Sequence, residues 1–245
     1  MVETTASATS GISKRASRHS SLADRAYHLI LDQMLRGSLP IGSVLSRRKL
    51  AEDFQMSLVP VAQALQRLEI EGLVESRPRA GTRVKAPKAD EIREHFELRQ
   101  ALECQSARLC AERATFQERL ELKRLASNVD SLYGNGALPE FNADRIFAVN
   151  EYHKNLHMKI AECARSKLLR TDIENSHVLI FNWLYDTTAG RRIFPAHFHG
   201  DLIGAIVDGK PQDAEEVMRR HIAYGLKSIQ LAIEPLEGKN WRLKR

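Results

Sequence analysis

The feature that most constrains this chain is the stretch 46–84, which predicts two short helices followed by a basic hairpin. Ser46 stands where a helix N-cap is expected, just before a short run with one apolar face. A second helix begins at Ser57 after a tight turn. Gly72 ends it, because glycine readily adopts the left-handed conformation that closes many helices. Two strand-like segments then flank the turn 76–81, which contains two arginines. This order of elements predicts a winged helix-turn-helix.

The geometry of such a unit suits double-stranded DNA. The second helix fits the major groove with its N-terminal turns against base edges, and the cations of the hairpin meet phosphates or the minor groove. The alternative is a small helical domain whose arginines are only solvated, but the order and lengths of the elements favour DNA binding. The candidate DNA-contacting residues of the second helix and the wing are Ser57, Leu58, Val59, Ala62, Gln63 and Arg79.

The distribution of charge agrees with this interpretation. A chain of 245 residues is long enough for two domains with separate cores. Residues 1–90 hold 14 basic and 9 acidic residues, a net charge of +5, whereas residues 91–245 hold 23 and 22, a net charge of +1. The positive excess therefore lies on the predicted DNA-binding part, as phosphate neutralisation requires.

Cysteine usage and hydropathy predict a cytoplasmic protein. Cys104, Cys110 and Cys163 are odd in number and lack the spacing of a metal knuckle, which is typical of a reducing compartment. No apolar run approaches the length of a membrane span, and the first twenty residues lack the apolar core of a secretion signal. We therefore expect no membrane partner.

The predicted fold class is mainly α, with an N-terminal winged helix-turn-helix followed by an all-α helical-bundle ligand-binding domain. Proline interrupts a short polar run at 85–88, where we place the linker. The predicted segments are a disordered N-terminal arm at 1–19, the DNA-binding domain at 20–86, the helical domain at 90–235 and a C-terminal tail at 236–245. The helices expected in the second domain begin with one capped by Asp90 and span about 90–113, 115–134, 142–164, 167–187, 195–208 and 211–233.

Four histidines of the second domain are expected to face its interior. His153 and His157 lie one turn apart on the apolar stripe of one helix, and His199 and His221 lie on apolar faces of two later helices. Neutral imidazole is a common ligand of divalent metals, and two histidines at i and i+4 can hold one ion. We therefore predict a nitrogen-rich site that suits Zn²⁺, or alternatively Ni²⁺ or Cu²⁺.

Simpler interpretations of these histidines remain open from the sequence. They can be unrelated core and surface residues, each with its own hydrogen-bond partner. His197 is an alternative to His199 as a ligand. His177 is spaced to face inward, either beside the ligands or as an ordinary core residue.

These motifs resemble the GntR transcription regulators, in particular the FadR-type subfamily with the helical domain called FCD. The resemblance covers nearly the whole chain after the N-terminal arm. In the first domain it rests on LSRRKLAEDFQMSLVPVAQALQRLEIEGLVESRPRAGTRV, and in the second on FELRQALECQSARLCAERAT, LHMKIAECARSKLL and HGDLIGAIVDGKPQDAEEVMRRHI.

The resemblance implies a metal site built from one aspartate and three histidines, whose coordination a small organic acid can complete. His157, His199 and His221 match the three histidines. The aspartate position, one turn before the first histidine, is occupied here by His153. We therefore expect an all-histidine ligand set that is less negative by one charge and accepts an anionic effector more easily.

The DNA-reading helix also departs from the family pattern. Arginines are usual at the positions of Leu58 and Ala62, and a threonine at Val59. We expect guanine contacts to be lost or altered, because leucine and alanine cannot donate to base acceptors. The resemblance adds as candidate DNA-contacting residues Arg48 and Gly81, which are kept, and Arg47, which replaces a customary glutamate. Thr82 in the wing is a further candidate.

The resemblance therefore implies a homodimeric transcriptional regulator that binds a palindromic operator under the control of a small carboxylate metabolite. Arg99 and Asn150 are candidate effector-binding residues. One alternative is a regulator that responds to the metal alone. A metal-dependent hydrolase fused to a DNA-binding domain is disfavoured, because the helical phase turns the possible general bases Glu151 and Glu162 away from the ligands.

Overall fold

The computed structural model describes residues 21–79, 81–134, 143–189 and 195–237. The arm predicted for residues 1–19 lies outside the described residues, as do residues 238–245 of the predicted tail. Among the helices of the described ranges, none combines the length and apolar character needed to cross a membrane.

The first domain is a three-helix unit with a small antiparallel sheet. Ser21 and Asp24 form a capping box that starts the first helix. The last strand lies in the middle of the sheet, paired with the other two. The elements are α1 (Leu22–Leu35), β1 (Val44–Leu45), α2 (Arg47–Asp53), α3 (Leu58–Ile70), β2 (Val74–Arg77) and β3 (Gly81–Val84).

The core of the first domain lies between α1 and α3. Ile30 and Met34 of α1 and Leu65 and Leu68 of α3 are buried, as the apolar periodicity predicts. Burying each such side chain contributes about 1.5 to 3 kcal/mol. The opposite face of α3 is therefore left to solvent.

In its described residues the second domain is a helical bundle, as predicted. The helices run α4 (Ala89–Arg113), α5 (Phe116–Gly134), α6 (Ala143–Cys163), α7 (Lys167–Asn175), α8 (Val178–Ala189), α9 (Phe198–Val207) and α10 (Pro211–Glu237). The central pair is α4 and α10, against which α6, α8 and α9 pack.

Two details of the predicted bundle are wrong. The helix expected at 167–187 is two helices, so the described part of the bundle has seven helices instead of six. The cause is His177, whose φ of +52° is incompatible with a continuous α-helix. Also, α4 has Lys88 as its N-cap residue, and Asp90 lies in its first turn.

The two domains are in contact through α8 and the end of α3. The imidazole Nε2 of His177 lies 3.4 Å from Oε2 of Glu71, the residue that follows α3. The same Glu71 accepts hydrogen bonds from the Tyr27 hydroxyl at 2.6 Å and from Arg67 Nε at 2.9 Å. The ring of Phe181 packs 3.8 Å from the point where a Cβ atom on Gly72 would stand.

Candidate metal centre and nucleic-acid interface

The first turn of α3 presents an apolar surface to solvent. Leu58 is 56% exposed and Val59 is 64% exposed. Ala62 is partly exposed and Gln63 is exposed on the same side. Ser57 is the N-cap residue, but its hydroxyl makes no capping hydrogen bond. The predicted DNA-reading face of α3 is thus accessible.

The wing is tied to α3 by polar contacts. Glu69 accepts hydrogen bonds from the backbone N–H of Ser76 at 2.8 Å and from its hydroxyl at 3.0 Å. Arg79 lies at the tip with φ of +63° and is exposed, and Gly81 follows with φ of +78°. The position of the wing relative to α3 is therefore fixed by side-chain hydrogen bonds.

Thr82 requires a correction. Its side chain is 3% exposed, and its hydroxyl oxygen lies 3.1 Å from that of Ser76. The alternation of a β-strand turns Thr82 to the inner face, so its side chain supports the wing instead of facing DNA.

The two arginines at the start of α2 are solvent-exposed. Arg48 pairs with Glu52 one turn later at 3.0 Å, and both side chains are largely exposed. Arg47 is exposed as well. Their cations are accessible to phosphates, and an exposed i, i+4 ion pair such as that of Arg48 costs little to exchange.

The structure brings together the four predicted metal-binding histidines. His153 and His157 come from α6, His199 from α9 and His221 from α10. All four are buried, and the distances between ring centroids run from 4.5 to 5.8 Å for the five pairs that are in contact. Residues from three separated segments thus meet in one cluster, which we call the histidine cluster.

The geometry of the histidine cluster fits a divalent metal. Candidate ligand nitrogens of His153, His157 and His221 all lie within 4.8 Å of one another. Nε2 of His157 lies 3.1 Å from Nε2 of His153. Zinc–nitrogen bonds of about 2.0 to 2.1 Å would place neighbouring ligand nitrogens about 2.9 to 3.4 Å apart, so this spacing matches one edge of a coordination polyhedron.

The protonation of the cluster also fits metal binding. Burial lowers the pKa of His153 well below its ordinary value, and the neighbouring imidazoles of His157, His199 and His221 lower it further. His153 is therefore neutral near pH 7, and a neutral ring nitrogen has the lone pair that a metal ligand needs.

Two carboxylates that the sequence analysis missed orient the histidine rings. Glu103 of α4 contacts Nδ1 of His157. Asp130 of α5 lies 2.7 Å from Nδ1 of His199 and also accepts from the backbone N–H groups of His199 and Gly200. A ring whose Nδ1–H donates to a carboxylate carries its lone pair on Nε2, the arrangement typical of metal-binding histidines.

These carboxylates add negative charge behind the rings that the sequence analysis did not include. Burial alone would raise the pKa of Glu103, but the Arg99 guanidinium and His157 lower it to about 2. Burial would likewise raise the pKa of Asp130, but the hydrogen bonds from His199 and Gly200 lower it. Two negative charges therefore stand behind the imidazoles. The sequence signal for Glu103 was its spacing of four from Arg99 on a buried helix face, whereas Asp130 had no comparable signal.

The two candidate effector-binding residues are both buried. Arg99 is 2% exposed and donates to Glu103 Oε1 at 2.6 Å and to Asn182 Oδ1 at 2.7 Å. Asn150 donates from Nδ2 to the carbonyl of Ile146 at 3.1 Å. Within the described ranges, neither Nη2 of Arg99 nor Oδ1 of Asn150 has a hydrogen-bond partner.

The other histidines lie elsewhere. His197 is exposed as the N-cap residue of α9, so the alternative in which it replaces His199 is wrong. His177 faces Glu71 at the domain junction and does not support the metal ligands. The acidic residues Glu151 and Glu162 are not part of the cluster. Glu162 lies 3.5 Å from Lys159, in agreement with the predicted helical phase.

Comparison with known proteins agrees with the two domains. The model of the family described as "Bacterial regulatory proteins, gntR family" matches residues 22–84, and that of the FCD domain matches residues 94–224.

Individual relatives cover most of the chain. A probable D-xylose utilization operon transcriptional repressor of Paenarthrobacter nicotinovorans is 25% identical over 212 residues, which are 86% of this chain and 89% of the relative. The regulator LutR of Bacillus subtilis is 26% identical over 211 residues, and the match covers 76% of this chain and 91% of LutR. Among solved structures, McbR/YncC of E. coli superposes with a TM-score of 0.69 at 19% sequence identity. The match covers 87% of this chain and 99% of the McbR/YncC chain.

The matched families together span most of the sequence and consist of transcription regulators, not enzymes. The chain therefore belongs to the GntR family of bacterial regulatory proteins, as a DNA-binding transcriptional regulator that carries an FCD domain.

Proposed function

We propose that this regulator binds a palindromic operator as a cytoplasmic homodimer, and that a small organic acid bound at a metal in the FCD domain controls its operator affinity. The observation that carries this proposal is the convergence of four buried histidines from α6, α9 and α10, with carboxylates behind two of them. A bound metal would take up ring nitrogens that this cluster turns toward one another, which favours metal binding over unrelated core histidines. A palindromic operator requires a two-fold dimer.

His153, His157, His199 and His221 would hold the ion, most suitably Zn²⁺, with Ni²⁺ or Cu²⁺ as alternatives. When bound, the metal supplies a positive centre that attracts an acid. Glu103 and Asp130 keep two of the rings in place before the ion arrives. Loss of a carboxylate that hydrogen-bonds a metal-binding histidine typically lowers metal affinity 10- to 100-fold.

The polar atoms of Arg99 and Asn150 that lack a hydrogen-bond partner among the described residues favour an effector that carries a carboxylate. Nη2 of Arg99 is a buried donor that an acid oxygen can satisfy. The remaining group of Asn150 is the acceptor Oδ1, which suits a hydroxyl or amine on the same molecule. A buried polar group left unsatisfied costs about 1 to 3 kcal/mol, so an effector that meets both groups recovers that cost on binding.

One helix provides a route from the metal site to the DNA-binding domain. Asn182 of α8 accepts from Arg99, which in turn donates to Glu103 behind His157. At the neighbouring position Phe181 packs beside Gly72, and His177 before α8 meets Glu71 at the end of α3. A shift of α8 on effector binding would therefore act on the end of the DNA-reading helix. Only a ligand with different affinities for the two arrangements can drive such a shift.

The experiment begins with native mass spectrometry and elemental analysis of the purified protein, to identify the metal and any small acid it carries. Operator affinity is then measured with EDTA, with Zn²⁺, and with Zn²⁺ plus a panel of small hydroxy acids and plain acids. We expect the acids to change the affinity only when the metal is present. An operator affinity that no metal or acid changes would contradict the proposed control.

The second candidate is a regulator that responds to the metal alone. It is favoured by His153, since a fourth imidazole beside those of His157, His199 and His221 can complete the coordination without an acid. In that case the same titration shows graded control by Zn²⁺ in the absence of acids, and the acids add nothing.

A further inference from the structure

The first turn of the DNA-reading helix is apolar, exposed and rigid. Leu58 and Val59 are adjacent and more than half exposed, whereas Pro60 and Val61 directly after them are buried in the core of the domain. Valine has one strongly preferred side-chain rotamer in a helix. The methyl groups of Val59 therefore have a preferred position at the surface.

This turn is continuous with the DNA-binding surface of the family fold. Arg47 and Arg48 at the start of α2 and Arg77 and Arg79 in the wing are exposed cations of the same winged helix-turn-helix. Cations that contact phosphates bind every sequence alike. Readout of base edges in the major groove falls to the groups that α3 presents.

The chemistry of these groups selects one class of base. Leucine and valine have no donor for the guanine acceptors O6 and N7. The apolar group in the major groove is the C5-methyl of thymine. One turn after Val59, the exposed amide of Gln63 is of the type that pairs with adenine N6 and N7. The face thus suits A·T pairs through both of their bases.

We propose that Leu58 and Val59 read thymine C5-methyl groups, so that each operator half-site presents thymines, not guanines, to the first turn of α3. This inference rests on the DNA-binding function of the chain and not on the proposed metal or effector.

The test uses the full chain, with Zn²⁺ and with EDTA in parallel, to enrich half-sites from a random duplex library. Each thymine of the enriched half-site is then replaced by deoxyuridine, which removes only the methyl group. We expect the affinity to fall about 4-fold for each thymine that the turn contacts. This factor corresponds to the loss of about 0.8 kcal/mol for one buried methyl group. The slope of affinity against salt should not change, since no phosphate contact is lost.

Two single substitutions link the effect to these side chains. Leu58→Ala and Val59→Ala should weaken binding to the thymine site, and each should abolish the preference for thymine over deoxyuridine at the position it contacts. Both residues are exposed, so folding should be unaffected. Ile70→Ala removes a side chain that is 81% exposed at the far end of α3 and serves as the matched control, with the preference retained.

Enriched sites with guanine opposite the first turn, or a thymine preference that survives both substitutions, would overturn the inference while leaving DNA binding intact. A library in which no sequence is enriched under either condition would overturn it together with sequence-specific binding.

Discussion

The histidine cluster and the DNA-reading surface of α3 differ in burial and in the number of helices that build them. In the cluster every ring is buried, and its carboxylate partners come from two helices that contribute no histidine. On α3 the functional groups are exposed, and all of them come from one helix. The buried site depends on the packing of the bundle, whereas the exposed surface depends only on the position of one helix. Substitutions should therefore affect stability in the first region and DNA affinity alone in the second.

The largest effect is expected for Glu103→Ala. The change leaves the buried guanidinium of Arg99 without its carboxylate, and breaking a buried ion pair in this way costs about 3 to 5 kcal/mol. Urea denaturation should show this loss in the free energy of unfolding. Glu112→Ala on the same helix, whose 3.9 Å pair with Arg108 is exposed, should change stability by less than about 1 kcal/mol. Equal effects of the two changes would remove the contrast between buried and exposed sites.

The next effect concerns a ligand nitrogen. His157→Ala should abolish stoichiometric binding of Zn²⁺ and with it the stabilisation by the metal, which is about 2.7 kcal/mol at a free metal concentration of 100 times Kd. Elemental analysis and thermal unfolding with and without Zn²⁺ measure both quantities. His95→Ala is the control, because His95 stacks on Phe181 outside the cluster. Undiminished zinc content in His157→Ala would exclude this cluster as the metal site.

A smaller effect is expected for Asp130→Asn. The amide keeps the size of the side chain but holds the Nδ1–H of His199 less strongly, so the affinity for Zn²⁺ should fall about 10- to 100-fold without being lost. Competition with a chelator of known affinity measures the change. Asp172→Asn, on the exposed side of α7, should leave the metal affinity unaltered. A zinc affinity equal to that of the unchanged protein would show that Asp130 only caps α9.

The smallest effect is expected for Arg79→Ala at the tip of the wing. Binding to all duplexes should weaken to a similar extent, and the slope of log affinity against log salt should fall by about one, the signature of one lost phosphate contact. Stability should stay within about 0.5 kcal/mol. Arg170→Ala, an exposed arginine of α7 paired with Glu174, should change neither property. If only one base pair loses affinity in Arg79→Ala, the wing reads a base and not a phosphate.

Local pattern was sufficient for most of the fold. The cap at Ser46 and the buried stripe of α3 both lie within one turn or one helix of the residues that define them. The break at His177 was missed, because the apolar spacing of the segment runs on through it and only the backbone conformation interrupts the helix. The inward side of Thr82 depends on which face of a strand the sheet covers, and a strand of four residues is too short to show that.

The sequence by itself determined the order of the two domains, the faces of the helices and the inward direction of four histidines, since each depends on residues a few positions apart. The tertiary structure alone decided which carboxylates stand behind the rings. Asp130 and His199 are 69 residues apart, and Glu103 and His157 are 54 apart. No local rule connects residues at such separations, because the packing of different helices sets which side chains meet. The same packing placed His177 against Glu71, across the junction between the DNA-binding and FCD domains.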